Sequence, residues 1–451
     1  MLRRAVLPLF LTFAALATTP GADPELPRIV EPAKATAHVD VRMRLSIVDA
    51  GVTAGNEKPA TAAIQQAIEL IASSGGGTLV IPAGRFLTGA LYLKPGVDLH
   101  LEKDAILAGS TNEEDYPTVK TRIEGHTQEW CPALVNAIHC PGVRITGEGT
   151  IEGGGKPFWD RFWERYAADK RTRNLDVYRP RNLFLQDCDG ARLSGISLRG
   201  SGFWNLHLYR SKGIIVDGLD IRTPTRAPST DGIDVDSCQD VIIRNCFISV
   251  DDDNIAMKGT KGTSADQDKD SPAVERVLVT NCTFGLGYGV VTLGSEACHV
   301  RDITVRDCRV EGPDRNCLIR LKLRPDTPQR YEQLLFTNIT LAARGKIVSV
   351  EPWTQYFDLK GLPPPAQVVD GLTISRIQGR SSTFGRIAGP GKATIRNVTF
   401  EDVNLTLDDP SVVIRGVENL NLRKLVLNNR EITAADVDVP SSPSNRPTAT
   451  R

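Results

Sequence analysis

The stretch Ser229–Gly259, STDGIDVDSCQDVIIRNCFISVDDDNIAMKG, places acidic residues on both sides of a run of alternating apolar residues. The run VIIRNCFISV has the period of two that is typical of a β-strand with one buried face. Three consecutive carboxylates, Asp251, Asp252 and Asp253, follow it directly, and Asp231 precedes it. A buried strand does not itself require such neighbours, so these carboxylates are candidates for chemistry.

Similar segments recur from about residue 96 onward. Each joins alternating β-branched residues to a turn of Gly, Asn or Asp, and such turns return roughly every 20–30 residues. Four segments end in cysteine at one point of the repeat, which predicts an internal stack of small buried side chains. They are NLFLQDC, VIIRNC, VLVTNC and ITVRDC, ending at Cys188, Cys246, Cys282 and Cys308.

Two all-β architectures compete for this pattern, a sandwich of antiparallel hairpins and a solenoid of parallel coils. Hairpins would need only short-range turn signals, whereas the cysteine placements show order over the length of a coil. We therefore predict a right-handed parallel β-helix forming a single domain over residues 40–435. A solenoid needs a cap at its open end, and residues 60–76, ATAAIQQAIELIASSGG, have the spacing of a short N-terminal capping helix.

The two ends of the chain predict processing and location. Residues 1–22 carry Arg3 and Arg4, then a short apolar segment and small residues, as in a secretory signal peptide. Residues 436–451 have the composition of a disordered tail. We therefore expect a secreted or periplasmic protein that is not held in a membrane after signal cleavage. The sequence carries no signal for an oligomeric state, and a monomer is the default expectation.

Composition narrows the function. Lys+Arg and Asp+Glu balance at 54 each, so no overall charge favours nucleic acid. Nine cysteines without a CxxC pair, and six histidines without paired-ligand spacing, argue against a zinc site. The odd cysteine count leaves two alternatives open, buried free thiols or one or two disulfides.

In a parallel β-helix, equivalent positions of successive coils stack at about 4.8 Å. Asp231 and Asp252 are 21 residues apart, about one coil, which predicts that they are near neighbours on one outer face. Clustered carboxylates suit glycoside hydrolysis, which needs a proton donor and a second carboxylate. They also suit a calcium site or a solvated turn, so these three readings stay open on local pattern alone.

Four short motifs in order carry a family resemblance: Ser229-Thr230-Asp231, Asp251-Asp252-Asp253, Gly287-Tyr288-Gly289 and Arg320-Leu321-Lys322. Together with similar sequence over roughly residues 45–330, they resemble the motifs of family 28 glycoside hydrolases, the polygalacturonase group of pectin-degrading enzymes. The resemblance implies a secreted hydrolase that cleaves pectic polysaccharide, polygalacturonan or rhamnogalacturonan, with inversion and without a cofactor.

The resemblance also implies roles for individual residues. Asp252 would be the general acid, and Asp231 and Asp253 would hold and deprotonate the attacking water. Arg320 and Lys322 would bind the substrate, since a guanidinium and an ammonium both suit a uronate carboxylate. We add Lys258 and Tyr288 as substrate-binding candidates because both lie close to these motifs.

The sequence departs from the family motifs at three positions. Ser229 replaces asparagine, and Asp251 replaces glycine, which adds a charge that should raise the pKa of the neighbouring acid. Tyr288 replaces the histidine of polygalacturonases, and a tyrosine can stack on a sugar but does not exchange a proton near neutral pH. Because the three catalytic aspartates remain, these changes predict a different substrate or subsite, not loss of activity.

Weaker signals complete the sequence predictions. The loop carrying Asp266, Asp268 and Asp270 is predicted to be a solvated rim. Trp204 is predicted to pack inside a coil, while Trp353 and Tyr356 are candidates for the cleft rim. Other acids of the opening stretch, at positions 234 and 236, are predicted to be turn or wall residues with no proton to transfer.

Two other functions share this predicted fold. One is a β-helical carbohydrate-binding or adhesion protein whose carboxylates only grip a ligand. The other is a calcium-dependent pectate lyase, whose products would be unsaturated and absorb in the ultraviolet.

Overall fold

The computed structural model describes residues 42–437. The predicted signal peptide, and the predicted tail of residues 436–451 except its first two residues, lie outside the described residues. Disorder was wrongly predicted for those two, because Asp436 ends a short 3₁₀ helix and Val437 is buried. Within them, 29 strands form one continuous sheet that winds into coils. Neighbouring coils pair in parallel, and strands of successive coils stack in three columns, here A, B and C. The predicted right-handed parallel β-helix is confirmed.

Each full coil contributes one strand to each column, in the order A, B, C. Column A contains Met43–Ser46, Gly77–Ile81, Val97–Leu101, Arg144–Gly147, Arg192–Ser194, Lys212–Asp217, Gln239–Arg244 and Val274–Thr280. Column B contains Gly84–Thr88, Ala105–Gly109, Thr150–Glu152, Ser197–Arg199, Asp220–Arg222, Phe247–Ser249 and Thr283–Phe284. Column C contains Leu91–Leu93, Val135–Ile138, Leu183–Gln186, Leu206–Tyr209, Ile233–Asp236, Ile255–Lys258 and Val291–Leu293.

The last coils consist of longer strands that continue around the corners between columns. These are His299–Leu323, Arg330–Pro352, Gln367–Ile387 and Ala393–Asp409, followed by Val413–Ile414, Val417–Leu427 and Arg430–Glu431. Four short 3₁₀ helices occupy Glu113–Asp115, Asn174–Asp176, Ala265–Gln267 and Ala434–Asp436. Neither α-helix of the described chain has the length and apolar character that a bilayer span requires.

The interior is filled by apolar side chains stacked one coil above another. The period-two pattern seen in the sequence turns every second side chain of a strand inward, so equivalent inward positions meet across the parallel register. One such stack in column A is almost completely buried and consists of Leu79, Leu99, Ile145, Leu193, Val216, Ile243, Val279, Val305, Phe336, Ile374 and Phe400. Helix α1, Thr61–Ser73, closes this core with Ile64, Ile68 and Ile71, as the capping prediction required.

The cysteines form two stacks, not one. Cys246, Cys282 and Cys308 lie in contact where column A turns into column B. Cys188 instead contacts Cys140, because both follow column C strands. The prediction of a single stack was therefore wrong for Cys188, whose local sequence resembles the others but ends a different column.

Two insertions leave the coils between columns B and C. The first is an antiparallel hairpin, Val119–Ile123 with His126–Trp130, closed by the two-residue turn Glu124-Gly125 with positive φ at both residues. The second contains helix α2, Lys156–Ala168, which begins after Gly155 with proline in its first turn. A further excursion, residues 353–366, follows the column C part of strand Arg330–Pro352.

All nine cysteines are buried and free, as the first of the two cysteine alternatives predicted. We therefore expect protein unfolded without reductant to titrate nine thiols with an aromatic disulfide reagent, and native protein to react only slowly. Each disulfide would remove two thiols from that number, so a lower count that reductant restores would contradict the assignment.

Candidate active site

The floor of a large cleft is the outward face of column C. Asp231 lies just before strand Ile233–Asp236, and Asp252 and Asp253 lie just before the next strand of the column. The register pairs Ile233 with Ile255, and the Gly232 amide donates to the Asp253 carbonyl at 2.9 Å. Asp231 is therefore aligned with Asp253, not with Asp252 as their spacing of 21 suggested.

Asp253 is fixed between two cations of a later coil. Its Oδ1 accepts from Arg320 Nη1 at 3.1 Å, and its Oδ2 accepts from Lys322 Nζ at 2.7 Å. Burial alone would raise its pKa, but the charges of Lys322 and Arg320 outweigh burial and lower the pKa below its ordinary value. Asp253 is therefore ionised over the whole working range of pH.

Asp252 has the opposite electrostatic environment. Burial, and then the negative charges of Asp231 and Asp253, raise its pKa to about 8. Asp251 is not among the main causes of this rise. Asp252 therefore carries a proton at neutral pH, the state that a general acid requires.

Asp231 is held by Lys258, whose Nζ lies 3.2 Å from its Oδ2 and 3.2 Å from Glu296 Oε2. Burial and the nearby Asp253 raise the pKa of Asp231, while Lys258 opposes the rise. Burial would lower the pKa of Lys258 itself, but the charges of Glu296 and Asp231 raise it well above its ordinary value. Lys258 lines the cleft, and in this structure its ammonium is engaged with carboxylates.

Asp234 and Asp236 are wall residues, one of the two predicted alternatives, and they differ in their contacts. Both lie within the fully buried strand Ile233–Asp236. Asp236 forms an ion pair with Arg122 at 2.9 Å and also contacts His207 at 3.3 Å. Burial and the charge of Asp231 raise the pKa of Asp234 well above its ordinary value. That these two acids have no proton to transfer in the reaction stays a prediction.

Aromatic rings surround the cations that hold Asp253. The Trp353 ring centroid lies 5.1 Å from Arg320 Cζ and 4.9 Å from Lys322 Nζ. Tyr288 is 38% exposed and lies 5.9 Å from the same guanidinium. Trp353 and Tyr288 therefore stand at the cleft surface, where an aromatic face can receive a sugar ring.

The cleft has a cavity volume of about 450 Å³. Its lining contains all seven residues predicted for the site, Asp231, Asp252, Asp253, Tyr288, Arg320, Lys322 and Lys258. Trp353 and Tyr356 also line it, as predicted for rim residues. Trp204 is 2% exposed, as predicted for a packed residue, yet it borders the cleft beneath Lys258.

In the loop with Asp266, Asp268 and Asp270, two of the three carboxylates contact other side chains of the protein. Asp268 accepts from Thr260, and Asp270 pairs with Arg210 at 2.7 Å. Within residues 42–437, no group of three or more His, Cys, Asp or Glu side chains has the arrangement of a metal site.

The sequence prediction missed one wall of the cleft. Phe162, Trp163 and Tyr166 of α2 line it, and so do Glu124 and Glu296. The aromatic spacing Phe158, Phe162, Tyr166 was a helical signal that the repeat pattern obscured. Glu296 had no comparable signal, because only the coil places it beside Lys258.

Known proteins resemble this chain in sequence. The family model described as glycosyl hydrolases family 28 matches residues 74–424. An endo-polygalacturonase of Pectobacterium parmentieri is 26% identical over 378 residues, 81% of this chain and 88% of the relative. A probable polygalacturonase of Vitis vinifera is 32% identical over 222 residues, which is 47% of this chain and 44% of that relative.

Among solved structures, the exopolygalacturonase of Thermotoga maritima aligns with a TM-score of 0.68 and 21% identity. The alignment covers 86% of this chain and 93% of that one, which shows a common fold. Since the family model covers most of the chain and its coils carry the clustered aspartates, the protein belongs to glycosyl hydrolases family 28, enzymes that hydrolyse O-glycosyl bonds.

Proposed function

We propose that the protein is a secreted or periplasmic, inverting glycoside hydrolase that cleaves pectic polysaccharide, either polygalacturonan or rhamnogalacturonan. The observation that carries the proposal is the division of protonation between adjacent residues of one cleft, protonated Asp252 and ionised Asp253. A reaction that needs a proton donor and a carboxylate base at one sugar requires this division. The similarity to polygalacturonases supports the pectic substrate.

In the proposed mechanism, Asp252 donates its proton to the glycosidic oxygen as the bond to the anomeric carbon breaks. Asp231 and Asp253 hold a water on the opposite side of the sugar, and one of them accepts its proton as the oxygen attacks. Asp253 is oriented by Arg320 and Lys322, and Asp231 by Lys258. The product then has the opposite anomeric configuration.

The cations of the cleft also favour a substrate that contains an acidic sugar. Arg320 lies on the cleft floor, where its guanidinium contacts the carboxylate of Asp253. The same guanidinium can also attract a second carboxylate. A uronate carboxylate can accept from the same guanidinium, while Tyr288 and Trp353 contact the ring. Because Tyr288 replaces histidine, contact with the substrate at this position depends on ring stacking and on the tyrosine hydroxyl. We therefore propose rhamnogalacturonan as well as polygalacturonan as a substrate.

The proposal is tested first by products. The purified protein is incubated with polygalacturonan, rhamnogalacturonan and short oligosaccharides, and products are followed by proton NMR from the first turnover. We expect new reducing ends of inverted configuration. Products absorbing in the ultraviolet would indicate a lyase instead, and binding without new reducing ends would indicate a carbohydrate-binding protein.

Asp252→Asn tests the general acid. The change is isosteric and removes the proton donor, so we expect kcat to fall by about 10²–10⁴-fold with an unchanged thermal melting curve. Asp266→Asn, on an exposed loop, is the matched control and should keep full activity. Near-normal turnover by Asp252→Asn would remove Asp252 from the mechanism.

The pKa of Asp252 predicts the alkaline limb of the pH profile. The acid acts only when protonated, so kcat/KM should fall as pH rises through about 8, where Asp252 loses its proton. Asp251→Asn should leave this limb in place, because burial, Asp231 and Asp253 are the main causes of the raised pKa. A profile flat to pH 10, or a limb that moves with Asp251, would contradict the assignment.

A further inference from the structure

The hairpin Val119–Trp130 lies across the floor of column C. The Arg122 side chain reaches the floor at Asp236, 2.9 Å away, and donates to Thr260 Oγ1 at 3.2 Å. From an earlier coil, Arg181 donates to the Arg122 carbonyl and to Thr121 Oγ1, both at 2.8 Å. Buried contacts at two adjacent residues of its first strand, Thr121 and Arg122, therefore hold the hairpin on the floor.

The hairpin tip joins the two walls of the cleft. Glu124 Oε1 accepts from Asn174 Nδ2 at 3.0 Å on the wall that carries α2. Glu124 Oε2 lies 3.5 Å from Lys261 Nζ on the opposite wall, and Lys261 also pairs with Glu296 at 3.5 Å. These four residues all line the cavity. They are called the end wall here, because together they extend from one side of the cleft to the other.

The two directions along column C differ in exposure. Toward the N-terminal coils, beneath and beyond the hairpin, Phe184 and His207 on the same face are at most 1% exposed. Toward the C-terminal coils, the register continues from Arg320 to Ser349 and Arg386, which are half-buried and exposed. The floor is therefore covered on one side of the catalytic residues and open on the other.

A second cavity continues the cleft on the open side. It has a volume of about 290 Å³ and shares Tyr288, Arg320, Lys322 and Trp353 with the first. Its remaining lining includes the exposed Lys346, with Ser349 and Glu351. A polymer that enters here can extend past the catalytic aspartates only as far as the end wall.

On the basis of the proposed function, we propose that this protein is exo-acting. The end wall formed by Glu124, Asn174, Lys261 and Glu296 then receives the terminal sugar of the polysaccharide. A wall at a fixed distance from Asp252 fixes which glycosidic bond meets the acid, so each turnover releases a short product of one length. The carboxylates and amide of the end wall can bond to the hydroxyls of a terminal sugar. Both an endo and an exo enzyme are among the similar proteins, so family membership does not decide this point.

The first arm of the test uses the unmodified protein on polygalacturonan and rhamnogalacturonan. Product lengths are resolved by anion-exchange chromatography at low conversion, and solution viscosity is measured alongside reducing ends. We expect one short product from the earliest time points, with viscosity falling slowly. An early ladder of many lengths with a rapid loss of viscosity would overturn exo action and leave the proposed hydrolase intact. No product from any substrate would overturn both proposals.

The second arm opens the end wall. The double variant Glu124→Ala/Lys261→Ala removes the pair that spans the cleft but keeps the Arg122–Asp236 ion pair that seats the hairpin. We expect release of the short product to slow by about tenfold as contacts to the terminal sugar are lost, and longer products to appear. Asn174→Ala removes one contact of the same wall and serves if the double variant melts at a lower temperature.

The matched control is Lys120→Ala/Glu129→Ala. These residues face each other on the same hairpin, are exposed, and carry the same pair of charges away from the cavity. The control should give the single product of the unmodified protein at the same rate. If the end-wall variants also keep that product and rate, the assignment of the end wall is overturned.

Discussion

The parallel register of column C is the constraint on which the whole cleft depends. Residues that are one coil apart in sequence become direct neighbours, so Asp231 meets Asp253, and Asp253 meets cations from a coil further along the chain. A shift of one residue would turn the carboxylates of strand Ile233–Asp236 into the apolar interior. The stacked apolar core that fixes this register therefore also determines the positions of the catalytic candidates.

On this scaffold, the protonation states follow from which charges each coil supplies. Arg320 and Lys322 face Asp253 and keep it ionised, whereas Asp252 faces two carboxylates and keeps its proton. The Lys258 ammonium lies 3.2 Å from Asp231, and burial with the charge of Asp231 raises the pKa of Asp234. In the mechanism we propose, the acids of the cleft are thereby divided into a donor and acceptors, which a set of equivalent solvated acids would not provide.

The coils carry the candidate catalytic residues, and the insertions form the walls of the cleft around them. Helix α2, the excursion after Pro352 and the hairpin at 119–130 leave the solenoid at different coils, yet they meet around one cavity. Tyr356 Oη approaches the Thr172 carbonyl at 3.5 Å, and Glu124 connects both walls. Such contacts join segments that are far apart in sequence, so substrate length and subsite number depend on tertiary packing more than on the catalytic motifs.

Period-two patterning and short motifs are local signals, so the coil, the capping helix and the residues that line the cleft could be predicted from the sequence. It did not show that Cys188 belongs to a second stack, because similar local sequences end different columns. It did not show that Asp234 is buried, because burial depends on the segments packed over the strand. It did not show that Asp231 aligns with Asp253, because a spacing of about one coil leaves the register between coils uncertain by a residue. The end wall could not be predicted from the sequence. Its residues come together only when separate segments of the chain pack against one another; they are Glu124, Asn174, Lys261 and Glu296.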